Sequence, residues 1–329
     1  MMFLFRSQGD IMETCESLDE KVSWIHMVAP SAREIKQVSS ATGISTDFLS
    51  AALDEEERSR IEAEDDQVLV IVNVPVAQLQ DESLPFDTLP LGIVLTRSLI
   101  VTVCLRGDTL VEDFFQNRVK GTNANKRTRF LLQILFRIAS TYLRHLRQID
   151  KLSNQIERRL HSSMRNEELI KLLNLEKSLV YFNTSLRSNE IVLEKLLRSR
   201  FVKLDPGDPE SLDTSRVLVM YPEDEDLLDD VITENKQAME MGEIYSNILS
   251  GMMDAFASII SNNLNMVMKF LASITIILSV PTIITSFFGM NVGLPWQQLP
   301  YPWGFLAVIA ICIVATYFGY RMLSKRDML

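Results

Sequence analysis

The chain has 329 residues and a net charge of −10, with 33 Lys and Arg against 43 Asp and Glu. That is too long for one small domain, and a charged fraction of 23% is too high for a chain lying mostly in a membrane. The acidic balance argues against nucleic acid as a partner, and the scattered Cys15, Cys104, Cys312, His26, His145 and His161 lack the spacing of a disulfide framework or a zinc site.

The opening run Met1–Arg6 is too short an apolar stretch for a signal peptide, so the aqueous part is expected to stay in the cytoplasm. Residues 1–125 read as a mixed α/β domain. Gln67–Val76, Leu91–Thr96 and Leu99–Cys104 are β-branched runs divided by polar breaks, the pattern of strands. Ser31–Ala41 and Thr46–Glu56 have helical character, and Asp108 is placed to cap a helix through Val119. Helices packed on a sheet would bury these strands.

Residues 126–204 read as an antiparallel helical hairpin. Leu and Ile recur at helical spacing over Arg127–His161 and Glu167–Arg198, and Ser162–Asn166 supplies the turn. Asp205-Pro206-Gly207-Asp208-Pro209 then ends the helix. A third helical stretch is expected over residues 218–288. Its start is marked by Tyr221-Pro222 followed by Glu223, Asp224, Glu225 and Asp226, acids at the positive end of the helix dipole. No further proline occurs until Pro281. An unbroken helix from there to Phe288 would be about 100 Å long, a stalk rather than an element buried in one domain.

Between Lys269 and Arg321 there is no charged residue and no histidine. A bilayer core takes about 20 apolar residues per helix. Residues 270–288 and 303–321 each come close to that, with a loop over 289–302 and a basic tail over 322–329. Lys269 precedes the first span, Arg321, Lys325 and Arg326 follow the second, and the loop has no charge. This bias places both termini in the cytoplasm and makes the protein multi-pass in the plasma (inner) membrane. The basic tail itself reads as a topology and headgroup anchor.

One face of the long helix carries the functional signal. Alternate steps of four and three give Asn247, Gly251, Asp254, Ser258, Ser261, Asn265, Met268, Ala272, Thr275, Ser279, Thr282 and Ser286, nearly all small or polar. A period near 3.5 keeps one face turned to a shared axis. Ile274, Ile276, Ile277, Leu278, Ile283 and Phe287 occupy the other faces, suited to lipid or a neighbouring copy. Small residues also let membrane helices pack closely, and for any single Ser or Thr that reading competes. As a unit the stripe favours a water-lined path, because it continues to Asn265 and Asp254, where tight membrane packing is irrelevant. Two spans cannot enclose a conduit, so several copies must supply it.

Gly289-Met290-Asn291 stands at the outer end of this helix, with a second span and a basic tail after it. The arrangement resembles the CorA family of magnesium transporters. Gly251-Met252-Met253-Asp254 looks like that family's inner-mouth segment, Asn265–Leu271 like its cytoplasmic gate, and Pro281-Thr282 like its pore-helix pair. The N-terminal likeness is thinner, mainly Trp24-Ile25 followed by Pro30.

The resemblance implies a funnel-shaped homopentamer: an α/β cytosolic domain, a long helical stalk and two transmembrane helices, the first lining one central pore. By carry-over, Gly289, Met290 and Asn291 would form the selectivity filter, with the Gly289 carbonyl and the Asn291 amide as its ring of ligands. Asn265, Met268 and Leu271 would form the inner constriction, and Thr282 and Asp254 would face the path. The implied activity is passage of Mg²⁺ down its electrochemical gradient into the cytoplasm, gated by cytosolic divalent binding, with no organic cofactor. Two departures stand out: Phe288 where many relatives carry Tyr, and no acid in Val292–Trp303 to gather cations outside. Ser279 also stands where some relatives place a bulky apolar residue.

Asp226, Asp229 and Asp230 share a helical face near Glu223 and Glu225. The plain reading is a dipole-favoured, solvated helix start. The functional reading is a regulatory Mg²⁺ site between subunits, because in the family an aspartate matching Asp230 pairs with an acid of the neighbouring N-terminal domain. Asp81, Glu82 and Asp87 are the candidates here, and the sequence does not choose among them. Two alternatives stand beside the Mg²⁺ reading: a Zn²⁺, Co²⁺ or Ni²⁺ transporter on the same fold, and a membrane-anchored oligomeric scaffold or sensor. An enzyme is least favoured, since no catalytic constellation assembles from these residues.

Overall fold

The computed structural model describes residues 1–18, 21–64, 66–77, 85–107, 113, 114, 116, 118, 119, 121–163, 166–198, 217–290 and 303–326. The chain divides into two units, Met1–Gly251 and Met252–Leu329.

In the first unit seven strands form one sheet. They are β1 (Met2–Gln8), β2 (Ile11–Cys15), β3 (Trp24–Val28), β4 (Arg60–Glu64), β5 (Gln67–Ala77), β6 (Phe86–Leu95) and β7 (Ile100–Cys104), in the order β2-β1-β3-β7-β6-β5-β4. Every neighbouring pair is antiparallel except β3 and β7, which run parallel with Trp24 opposite Ile100. Successive side chains point to opposite faces. Leu4, Ile25, Met27, Leu69, Ile71, Val101 and Val103 therefore share one buried face with Ile35, Val38, Phe48 and Leu49. Those last four belong to α1 (Ala32–Thr42) and α2 (Thr46–Ser50). On the opposite face Trp24 stacks on Phe5 and meets Phe130 edge-on, and Phe182 meets Phe86 and Tyr142. Phe130 and Tyr142 belong to α3 (Arg127–Ser163), and Phe182 to α4 (Asn166–Arg198). The sheet is thus a layer between two helical layers.

Local chemistry fixes these elements. Ser31 caps α1 in a reciprocal box with Glu34, and Gly43 ends it at φ +75°, a left-handed conformation that glycine adopts without strain. Beyond α2 the expected helix to Glu56 is not formed: Ala51–Leu53 tightens into a 3₁₀ turn, and Asp54 Oδ1 accepts from the Glu56 N–H at 3.0 Å. Ala52 there lies against β6 at Gly92, where a Cβ would come within 2.9 Å of the Ala52 Cβ. Strand β6 starts at Phe86, earlier than the expected Leu91, and takes in Pro90. Its β7 partner reaches only to Leu91, so at Pro90 no ladder bond to β7 is lost.

The expected hairpin is present as α3 and α4. The long helix α5 (Pro222–Phe288) begins at Pro222 rather than residue 218, because a proline ring is favoured in the first turn and lacks only an N–H that would have no helical partner. The second unit holds the rest of α5, with Pro281 inside it, and α6 (Trp303–Ser324), which runs past the expected end at residue 321. Both helices are long and apolar enough to cross a membrane. The expected Asp108 cap and the Asp205–Pro209 break lie outside the described residues.

Candidate functional site

In the second unit reduced exposure falls on one face of each helix. On α5 it recurs at Ser273, Ile277, Val280, Ile284 and Phe288, and on α6 at Gly304, Ala307, Ile311, Ala315 and Gly319. The polar stripe lies away from the covered face of α5. Asp254, Ser258, Ser261, Asn265, Met268, Ala272, Thr275, Thr282 and Ser286 are all exposed, and Ser279 is half-covered. Leu271 is exposed beside Met268. In a single chain the stripe, apart from the half-covered Ser279, is therefore open to solvent, lipid or another copy.

The hydroxyl groups have a definite polarity. Thr275 donates to the Leu271 carbonyl at 2.8 Å, Ser279 to Thr275 at 2.7 Å and Thr282 to Leu278 at 3.0 Å. Each proton is held by the preceding turn, so the oxygen turns its lone pairs outward as an acceptor. Thr285 does the same towards Pro281 at 3.0 Å, where the proline cannot donate to the turn before it.

At the outer end the Gly289 N–H donates to the Thr285 carbonyl at 2.9 Å, and the Met290 N–H to Phe287 at 3.4 Å. The helix closes there on a tightened turn with no basic residue in it. Its last carbonyls form the negative end of the helix dipole, favourable to cations. A Cβ at Gly289 would lie 3.2 Å from the Thr285 carbonyl oxygen, so the close approach suits glycine. Asn291, the third residue of the expected filter, lies outside the described residues, as does the loop after it.

The expected sensor acids lie in the first unit. Asp226, Asp229 and Asp230 are exposed on α5. Asp87 is half-buried at the start of β6, where its Oδ1 accepts from the Thr88 N–H at 2.8 Å. Asp81 and Glu82 lie outside the described residues. Among the described residues of one chain, no three His, Cys, Asp or Glu side chains gather into a metal-sized group. The buried acid of this helix start is Asp224, which accepts from the Tyr221 N–H at 3.2 Å and pairs with Arg129 at 3.3 Å. Sequence reasoning passed over it. Its signal was positional: it lies three residues after Tyr221, one turn before the apolar Leu228 and two turns before Val231.

The comparisons with known proteins agree with this layout. The family model described as CorA-like Mg²⁺ transporter protein matches residues 19–322. The cobalt/magnesium transport protein CorA of Methanocaldococcus jannaschii is 29% identical over 303 residues, covering 90% of this chain and 88% of that protein. The protein of the same name from Thermotoga maritima is 24% identical over 296 residues, covering 88% and 78%. The complete structure of the M. jannaschii CorA magnesium transporter superposes with a TM-score of 0.78 at 26% identity, covering 98% of this chain and 96% of that one. With a family model matching residues 19–322 of a chain that folds into this sheet, hairpin and long helix, the last with α6 making the two membrane-length helices, the chain belongs to the CorA-like Mg²⁺ transporter family.

Proposed function

We propose that this protein is a divalent-cation transporter whose main cargo is Mg²⁺, and that several copies, five by analogy with the family, set the α5 stripe around a common axis. The observation that carries the reading is the outward acceptor row at Thr275, Ser279 and Thr282. A hydrated cation presents water hydrogens to its surroundings. Neutral oxygen acceptors hold such an ion through its water shell and release it again, as conduction requires. Mg²⁺ gives up its water reluctantly and prefers oxygen, which suits this lining.

Inward passage is driven by the membrane potential. A divalent ion crossing 100 mV gains about 4.6 kcal/mol, twice the single-charge figure. Gly289 and Met290, with Asn291, would form the outer filter, helped by the carbonyl end of α5. Met268 and Leu271 would close the inner end by dewetting, with Asn265 beside them and Asp254 concentrating cations at the mouth. The Lys269, Arg321, Lys325 and Arg326 bias favours cytoplasmic termini.

Cytosolic Mg²⁺ would regulate the path through Asp226, Asp229 and Asp230. These exposed carboxylates are hard oxygen donors of the type that Mg²⁺ takes. By analogy with the family, an acid of a second copy would complete the site. Like charges across that boundary repel unless a cation lies between them, so loss of Mg²⁺ would let the copies separate.

The test is metal uptake into reconstituted vesicles, wild type against Asn291→Ala. Loss of uptake in the variant is expected. Unchanged uptake removes the filter assignment, and no uptake by the wild type favours an oligomeric scaffold. Co²⁺ is a second cargo to assay, since the names of both curated relatives include cobalt.

A further inference from the structure

A cavity of about 690 Å³ opens in the first unit where α3 and α5 both begin. Val217, Val219, Tyr221 and Pro222 supply an apolar side, and Lys126, Arg127 and Arg129 a basic one. Its volume is that of a site for a small organic ligand. None of its lining residues belongs to the polar stripe, the filter or the sensor face of α5.

The charges around it do not balance. Both acids of the lining go to one partner: Arg129 pairs with Asp224 at 3.3 Å and with Glu223 at 3.6 Å. Among the described residues no acid pairs with Lys126 or Arg127. Arg127 is the more telling of the two. Its Nη1 donates to the Thr96 carbonyl at 2.9 Å, which holds the guanidinium at the cavity wall and leaves others of its five N–H donors to bond elsewhere. Burial pulls its pKa below the ordinary value, and the nearby Tyr221 opposes this. A half-buried cation without a counter-ion costs free energy, and an anion beside it recovers that cost. The planar guanidinium fork matches phosphate oxygens in pairs. Lys126 is exposed and adds a second, movable positive charge. Two solvated surface cations would need no apolar wall beside them.

We propose that this cavity binds a phosphate-bearing small molecule of nucleotide size, its phosphate on Arg127 and Lys126 and its ring system against Tyr221 and the two valines. A lone inorganic phosphate would satisfy the cations and leave the apolar side uncovered, whereas a nucleoside monophosphate covers both. Tyr221, 58% exposed, offers a flat face on which a base stacks. The site stands apart from the transport reading, since binding is measured without any flux.

The test is isothermal titration calorimetry on the full chain in detergent, with adenosine monophosphate, adenosine and inorganic phosphate as probes. Adenosine monophosphate should bind the wild type saturably, at least about tenfold more tightly than either of the other two, because each of them makes only half of the contacts. Lys126→Gln and Arg127→Gln should each weaken it about tenfold, the loss of one charge-assisted bond. Tyr221→Ala should weaken it by a similar factor through lost stacking. The affinity should also fall as salt is added, which a contact without charge would not show. No saturable binding of adenosine monophosphate overturns the proposal, and so does an affinity left unchanged by Lys126→Gln or by Arg127→Gln. Adenosine or inorganic phosphate binding as tightly as the monophosphate, or an affinity unchanged in Tyr221→Ala, overturns the two-sided site. Should Arg127→Gln fail to accumulate for want of its bond to Thr96, Lys126→Gln, altered at an exposed side chain, decides alone, and wild-type affinity there sinks the assignment.

Discussion

The side-chain amide of Asn189 on α4 completes the edge of β5 at Asn73. Its Oδ1 accepts from the Asn73 N–H at 2.8 Å, and its Nδ2 donates to the Asn73 carbonyl at 2.8 Å. Strand β4 pairs with β5 only as far as Ile71, so beyond that point the edge would carry unpaired backbone groups. The amide supplies the two bonds a further strand residue would have made. Ser59 donates to the same Oδ1 at 2.9 Å, and Tyr142 to the Asn73 carbonyl at 3.0 Å. Pro75, two residues on, would direct its N–H to the same side and has none to satisfy.

Replacing Asn189 with Ala or with the similarly sized Leu should therefore destabilise the first unit by about 1–3 kcal/mol, the effect of stranding a part-buried N–H and weakening a carbonyl's bonding. Thermal unfolding in detergent, followed by near-ultraviolet circular dichroism, measures it. A Leu variant as stable as wild type would show that volume rather than hydrogen bonding matters at this position.

Acid should weaken the fold through His26. Burial pushes this imidazole down from 6.5 to about 4, opposed by its backbone hydrogen bond with Thr102 and reinforced by the N-terminal charge. The unfolded chain takes up the proton near 6.5 and the folded chain only near 4, so more protons bind the unfolded state between those values. This contribution is complete above pH 6.5 and is lost as the pH falls towards 4, about 3 kcal/mol in all. Unfolding midpoints collected across that range should slope less in His26→Gln than in wild type. Equal slopes would place the acid sensitivity elsewhere.

Under the proposed cytosolic regulation, Asp230→Ala should leave uptake running at cytoplasmic Mg²⁺ levels that shut the wild type. Uptake in the variant that is just as sensitive to internal Mg²⁺ would move the sensor away from this face of α5.

If Met268 and Leu271 form the proposed inner constriction, Met268→Ser and Leu271→Ser should each let water into it and raise Mg²⁺ leak at high cytoplasmic Mg²⁺, since a dewetting barrier depends on apolar lining. Single-channel or flux recordings at saturating Mg²⁺ decide this. A closed state as tight as wild type in both variants would remove these side chains from the gate.

Much of this was legible in the sequence where a signal is local. The membrane helices follow from long uncharged runs, the hairpin from its helical period, and β5 and β7 from β-branched runs. Strands β2 and β4 were not found, because edge strands carry polar and charged residues that discourage pairing, as Arg-Ile-Glu-Ala-Glu does in β4. Strand β1 lies inside the sheet, but its apolar run Met2–Phe5 gives way to Arg6-Ser7-Gln8 and is too short for a period to emerge. Strand β3 is only five residues long and includes His26, too little for a period to emerge. Asn189 and Asp224 act through partners distant in the chain. Nothing in its immediate neighbours marks Asn189.

The parallel pairing of β3 with β7 sets an order of events during synthesis. Trp24 meets Ile100, so the middle of the sheet cannot zip together until the polypeptide beyond Cys104 has left the ribosome. The segment around Phe270 emerges much later. The residues of the whole sheet are therefore made before the apolar stretch that follows Lys269, an order in which this long-range core can form first.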